Sequence, residues 1–273
     1  MSIFEAIILG IVQGLTEFLP ISSSGHLRIV PAIAGWKDPG SAFTAVIQLG
    51  TMAAVVLYFR KDIVEITTAF IRGLLRRERE EDAEHIKMGW YLALGTLPII
   101  VFGVLFKDQI ETGARNLYLI GSALIVFGLL LGVVDATAKR VRELDSLNRV
   151  DAAIVGFAQS LALVPGVSRS GATITFGLLR GFTRQDAARF SFLLSIPAVV
   201  LSGLYELKDA VGHSTGAGTL SLVVATVAAF ITGYWSIAFL LRWLGEHSMA
   251  IFVAYRLVLG VLVIGLTAGG LIS

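Results

Sequence analysis

Apolar positions along this chain fall into long uninterrupted runs and short ones, and the difference predicts the architecture. The runs at 41–59 (Ser41 to Phe59), 89–106, 117–134, 186–206, 218–241 and 250–271 are long enough, at 1.5 Å per helical residue, to approach or cross a hydrocarbon core about 30 Å thick. Two other regions break that pattern. Residues 3–15 reach only about 20 Å as a helix, and a polar stretch at 16–25 precedes a second short leg at 25–35. The same design recurs downstream: Ala152–Val164, a Pro/Gly/Ser turn at 165–171, and a leg at 172–181. Two half-length legs around a polar turn predict a re-entrant hairpin, since non-helical backbone at membrane depth needs protein or a water-filled cavity around it. Between the spans, Ile63, Ile66, Phe70 and Leu74 recur at helical spacing and predict an amphipathic helix on the membrane surface. Arg76 to Asp82 reads as a solvated mixed-charge run, and Asp135 to Arg149 as a short connection.

The two hairpins echo each other at a constant offset. Gln13 and Gln159, Ser22 and Ser168, Ser24 and Ser170, and Gly25 and Gly171 are each 146 positions apart. Phe43 and Phe190, and Leu57-Tyr58 and Leu204-Tyr205, repeat at 147. A hairpin returns to its own side of the membrane and three spans do not, so the second half must be inverted. The expectation is an all-α polytopic membrane protein built as an inverted-topology repeat. Each half has one re-entrant helical hairpin plus three transmembrane helices, 1–135 and 150–273 being the two repeats of a single membrane domain over 1–273. Such repeats place a site near the midplane at their interface.

Composition agrees with a membrane solvent. Of 273 residues, 55% are hydrophobic and 15% charged, against roughly 25% charged in soluble domains, and the mean hydropathy is +0.80. A net charge of only +2 says little about nucleic acid, and none is expected as a partner; the absence of cysteine excludes thiolate chemistry and disulfides. The N-terminus lacks a basic region before its first apolar run, so no cleaved signal peptide is expected. Basic residues instead set orientation. Arg60, Lys61, Arg72, Arg76, Arg77, Arg79, Lys87, Lys139, Arg140, Arg142, Arg149 and Arg242 fall on one side; Arg28, Lys37, Lys107, Arg115 and Lys208 fall on the other. The richer side should be cytoplasmic, which puts both termini and the opening of the site outside.

The chemistry concentrates in the two turns. Gln13 and Glu17 share a helix face. Glu17, His26 and Arg169 are ionisable groups at membrane depth, where such groups are costly and mark function. Ser22, Ser23, Ser24, Ser168, Ser170 and Thr173 supply hydroxyls, and Gly25 and Gly171 let backbone approach a ligand. Arginine matches phosphate oxygens, and helix N-termini favour anions. The ligand expected is phosphate or pyrophosphate. Glu17 and Gln13 are candidate ligands for a divalent cation, His26 a proton carrier, and Ser23 a nucleophile or a phosphate binder.

Gln-x-x-x-Glu followed by Phe-Leu-Pro-Ile-Ser-Ser-Ser-Gly-His, with Pro-Gly-Val-Ser-Arg-Ser-Gly-Ala-Thr later and Ala188 to Pro197 after that, resembles the bacitracin-resistance family of undecaprenyl-pyrophosphate phosphatases over essentially the whole chain. The resemblance implies hydrolysis of a C55 polyprenyl pyrophosphate to the monophosphate and inorganic phosphate in the bacterial inner membrane, recycling the cell-wall lipid carrier. It implies a divalent cation, magnesium or calcium, and site residues Gln13, Glu17, Ser22, Ser23, His26, Ser168, Arg169 and Thr173. Gln13 supplies one carboxylate fewer than a glutamate there would. The competing expectation is a transporter or flippase for the same phosphorylated lipid, since broken helices in repeats also build carriers. The acid-phosphatase-like lipid phosphatases fit poorly: no Arg-Pro dipeptide occurs, and Thr175 stands where a histidine is expected.

Overall fold

The structure, a computed structural model, describes residues 1–77, 79–106, 116–210 and 218–273. Lys107, Arg115 and the side chain of Lys208, all in the charge count above, lie outside the described residues, as does Glu78 of the mixed-charge run. The described chain is helical and carries no strand beyond an isolated bridge between Arg142 and Phe182. Its helices are α1 (Ile3–Phe18), α2 (Ser23–Ala34), α3 (Gly40–Tyr58), α4 (Arg60–Leu74), α5 (Ala83–Leu105), α6 (Leu117–Thr137), α7 (Arg149–Ser160), α8 (Arg169–Leu179), α9 (Arg184–Ala210), α10 (Thr219–Glu246) and α11 (Ala250–Ala268).

Among the described residues four segments are long and apolar enough to cross a membrane: Glu80–Leu105, Leu117–Thr137, Thr219–Glu246 and Ala250–Ala268. The pair α3 and α4, bent by 76°, adds a fifth. This is a multi-pass membrane protein. The bend turns α4 out of the apolar run, as its amphipathic pattern predicts, with Ile66 and Ala69 on the buried side. Helix α9 has the length expected at 186–206, but Arg184, Asp186 and Arg189 lower its apolarity.

The two short-leg regions form helix–turn–helix pairs, α1–α2 and α7–α8, with boundaries that differ from the apolar runs. Helix α1 continues past residue 15 to Phe18. Thr16 donates its hydroxyl to the Val12 carbonyl at 2.6 Å, and Phe18 buries edge-on against Phe192, ring centroids 5.5 Å apart. Helix α2 starts at Ser23 rather than 25, because Ser22 caps it. The turn between them is therefore four residues, Leu19 to Ser22.

Glycines set how closely these pairs pack. A Cβ on Gly10 or Gly14 of α1 would overlap backbone of α10 at Ala225 or Ala229, and one on Gly156 of α7 would overlap Gly95 of α5. So α1 lies against α10, and α7 against α5. The main core, with Phe18, Phe59, Phe190, Phe192, Leu194, Ile237 and Leu240, fills the space beneath the turns.

Candidate active site

Each turn ends in a serine held at positive φ: Ser22 at 77° and Ser168 at 74°. Non-glycine residues avoid this region, at a cost of about 1–3 kcal/mol each. Both serines accept a hydrogen bond from the third residue on, Gly25 N at 3.4 Å and Gly171 N at 3.1 Å. Both also pair with a second hydroxyl: Ser22 with Ser24 at 3.3 Å, Ser168 with Ser170 at 3.2 Å. The first-turn N–H groups of Ser23, Ser24, Arg169 and Ser170 have no acceptor within their helices.

Arg256 of α11 holds the two turns together. It is fully buried. Its guanidinium donates to the carbonyls of Pro20 (3.1 Å), Gly166 (3.0 Å), Val167 (3.0 Å), Ala123 (3.3 Å) and Leu124 (3.2 Å). Pro20 and Gly166 are again 146 apart. Ser170 adds a bond from the second turn to the first, donating to Leu19 O at 3.1 Å.

With the turns so fixed, Glu17 lies between them. Arg169 donates to Glu17 Oε1 at 2.8 Å; Ser23 donates to Oε2 at 2.6 Å, and Gln13 to Oε2 at 3.2 Å. The Glu17–Arg169 pair is 9% and 14% exposed. Two polar atoms beside it are buried without a partner: Gln13 Oε1 and Arg169 Nη1. One is an acceptor and one a charged donor, so the centre can still take a cation on one side and an anion on the other. Unpaired buried polar groups cost enough that native sites fill them with water or ligand.

His26 follows Ser23 by three and shares its helix face. Its Nδ1 lies 2.7 Å from Ser22 O, and its Nε2 2.7 Å from the Tyr255 hydroxyl. A carbonyl only accepts, so Nδ1 carries the proton and Nε2 holds the lone pair.

Gln13, Glu17, Ser23, Arg169, Ser22, Ser24, Gly25, Ser168, Ser170 and Gly171 are thus brought together. Thr173 differs from expectation. Its hydroxyl is fully buried against α9, 2.5 Å from Ser191 Oγ and 2.8 Å from Arg169 O. It ties α8 to α9 and presents nothing to a ligand. Ser22 and Ser168 cap helices in the same buried fashion. Among the described residues no three or more His, Cys, Asp or Glu side chains cluster, so Glu17 and Gln13 are not joined by further carboxylate or imidazole ligands there. Three residues escaped sequence reasoning: Tyr255, Arg256 and Thr51, whose hydroxyl is 3.5 Å from Gln13 Nε2. The signal for Arg256 was present, as the one charge in the apolar α11.

A cavity of about 650 Å³ lies apart from this centre, lined by Arg140, Glu143, Arg184 and Asp186 among others. Arg184 is already paired with Asp135 at 2.6 and 3.0 Å, and Arg140 lies 3.9 Å from it.

Residues 6–262 match the family described as bacitracin resistance protein BacA. The chain is similar to undecaprenyl-diphosphatases of several bacteria. It is 52% identical to that of Chlorobium phaeobacteroides (strain BS1), covering 99% of both chains. It is 54% identical to that of Chlorobaculum tepidum over 96% of this chain and 95% of the relative. With that of Thermobifida fusca it shares 53% over 100% of this chain and 93% of the relative.

Proposed function

Because this chain belongs to the bacitracin resistance protein BacA family, we propose that the centre around Glu17 hydrolyses undecaprenyl pyrophosphate to undecaprenyl phosphate and inorganic phosphate. The protein is a polyprenyl-pyrophosphate phosphatase. The observation that carries the reading at this site is Glu17 bridging Arg169 and the Ser23 hydroxyl, with an unpartnered guanidinium nitrogen beside them.

The terminal phosphate binds Arg169 Nη1 and the free N–H groups at the starts of α2 and α8. Ser23 Oγ attacks the terminal phosphorus, its proton passing to Glu17 at 2.6 Å. The bridging P–O bond breaks and undecaprenyl phosphate leaves. Water then attacks the serine phosphate. Its proton is taken up at the hydrogen-bonded His26–Tyr255 pair, Glu17 returns a proton to Ser23 Oγ, and inorganic phosphate is released. A divalent cation, magnesium or calcium, would be held by Gln13 and Glu17 and would neutralise charge on the pyrophosphate.

The fold is an inverted-topology repeat with one re-entrant hairpin and three transmembrane helices per half, α9 being a span. In support, Ser22 and Ser168 share backbone angles, and their hydrogen bonds correspond. Gly10 seats α1 on α10, and Gly156, 146 positions on, seats α7 on α5. The protein resides in the bacterial inner membrane. The basic cytoplasmic side orients the site and both termini outward. The lipid tail lies among the exposed apolar side chains of the spans.

The test is phosphate release from undecaprenyl or farnesyl pyrophosphate by purified protein, with and without EDTA, beside Glu17→Ala and Arg169→Ala. Metal-dependent release lost in both variants is expected. An acid-stable phosphoserine, absent in Ser23→Ala, tests the covalent step. A folded protein that binds the lipid and releases no phosphate is a carrier, and the proposal fails.

A further inference from the structure

Helix α7 repeats α1 position by position as far as its carboxamide. Ser2 and Glu5 cap α1 reciprocally, and Asn148 and Asp151, each 146 positions on, cap α7 in the same way. Gly10 and Gly156 are the close-packing glycines of the two helices, and Gln13 and Gln159 each follow by three. There the correspondence ends. Gln13 Nε2 is bonded to Glu17 at 3.2 Å and lies 3.5 Å from the Thr51 hydroxyl. At the offsets of 146 and 147 that relate these segments, the partner positions are Leu163 and Ala198, whose side chains carry no polar atom. Gln159 is fully buried, and both its Oε1 and its Nε2 lack a partner.

Gln159 continues the face of Ala152 and Val155, which are also fully buried, and stands in the last turn of α7. In the first hairpin the end of α1 and the start of α2 meet at one atom: Glu17 Oε2 takes bonds from both Gln13 and Ser23. In the second hairpin the residue corresponding to Ser23 is Arg169, whose Nη1 is itself unpartnered. Among the described residues five buried side-chain polar atoms lack a hydrogen-bond partner. Four belong to Gln13, Gln159 and Arg169, and the fifth, Arg28 Nε, stands 3.4 Å from Asp38 in an ion pair. The unmet hydrogen bonds therefore gather at corresponding places of the two hairpins. A buried amide without a partner costs free energy, and no bond printed by the folded chain offsets it here.

We infer that Gln159 is a further substrate-binding residue: when the pyrophosphate head group is seated between the turns, the Gln159 carboxamide bonds it from the α7 side, beside Arg169. Nε2 donates to a phosphoryl oxygen, as Arg169 Nη1 does from α8. Oε1, which a phosphoryl oxygen cannot serve, takes a water of the hydrated head group. A carboxamide adds a donor here without adding charge.

The inference rests on the phosphatase reading of the centre, and the experiment separates the two. Gln159→Met keeps the length of the side chain and removes both polar atoms. Kinetics with farnesyl pyrophosphate would be measured for wild type, Gln159→Met and Glu17→Ala. The unfolding temperature in detergent would be read for each, with and without inorganic phosphate. Expected for Gln159→Met are an unfolding temperature no lower than wild type, a KM raised by about 10–100-fold for a lost bond to a charged group with little change in kcat, and a smaller stabilisation by phosphate. Wild-type KM and wild-type stabilisation by phosphate overturn the inference, and with release lost in Glu17→Ala they leave the phosphatase reading standing. Wild-type release in Glu17→Ala removes both. A lowered unfolding temperature with wild-type KM makes the partner of Gln159 an internal water and overturns it. Should Gln159→Met fail to fold, Gln159→Leu takes its place, and failure of both makes the carboxamide structural and overturns it.

Discussion

Ser23 and Arg169 occupy the same place in two helices, each the first residue after a serine cap at positive φ, and each bonds a different oxygen of Glu17. One carboxylate thus reads both turns. Glu17→Gln and Arg169→Met should each lower kcat by about 10²–10³-fold. The double variant should be little worse than the worse single one, since the two act as a unit. Additive losses in phosphate release would show that they act separately.

Arg256→Met should be among the most destabilising single changes. It removes the guanidinium from the carbonyls of two turns and its added bonds to α6, on the scale of about 3–5 kcal/mol for breaking a buried charged network. Arg256→Lys should recover only part, because an ammonium has three donors and no planar fork. The reading is the unfolding temperature in detergent; a wild-type value for Arg256→Met contradicts the tie.

Asp151 opens α7 beside the connection from α6, outside the spans. Burial pushes its carboxyl pKa up, but hydrogen bonds from Arg142 (2.7 and 3.1 Å) and Arg180 (2.6 Å) outweigh this and hold it below the ordinary carboxylate value. A lowered folded value means the stabilisation is complete above the unfolded carboxylate pKa of about 4 and lost as pH falls through the folded value. Unfolding temperature should drop on acidification below that range, with a shallower drop in Asp151→Asn. Parallel profiles for the two proteins would contradict this.

Gly156→Val should cost about 1–3 kcal/mol or more through overpacking, because the new side chain meets the Gly95 backbone. Gly35→Ala, where nothing lies within 4 Å but φ is 67°, tests backbone strain without crowding. A milder loss of unfolding temperature is expected there. Equal losses would mean that close packing of α7 on α5 is not what Gly156 provides.

Thr173→Val should lower stability by about 1 kcal/mol for a lost buried hydrogen bond while leaving KM for the pyrophosphate unchanged. A raised KM would restore the hydroxyl to the phosphate site.

The short legs and the turns between them were legible in the residue pattern. Membrane solvent makes run length a direct measure of span, and a charge at depth needs a reason. Helix ends were not legible. Phe18 extends α1 through tertiary packing on Phe192, which periodicity does not encode, while α2 begins at Ser23 because, of the three serines that could cap it, Ser22 does. Thr173 bonds Ser191 in the structure, and a hydroxyl near a motif looks the same in sequence whether it faces ligand or a neighbouring helix. Tyr255 was missed because its partner lies 229 positions away.

The bonds of Arg256 also bear on how such a molecule can move. Many transporters alternate access by rocking one repeat against the other about a fixed site. Here a single guanidinium is bonded to Pro20 from one turn and to Gly166 and Val167 from the other. Relative rotation of the two turns would strip a buried cation of acceptors on one side or the other. Alternation of that kind would have to break these bonds, so the network opposes exposing the space between the two turns to the two faces of the membrane in succession.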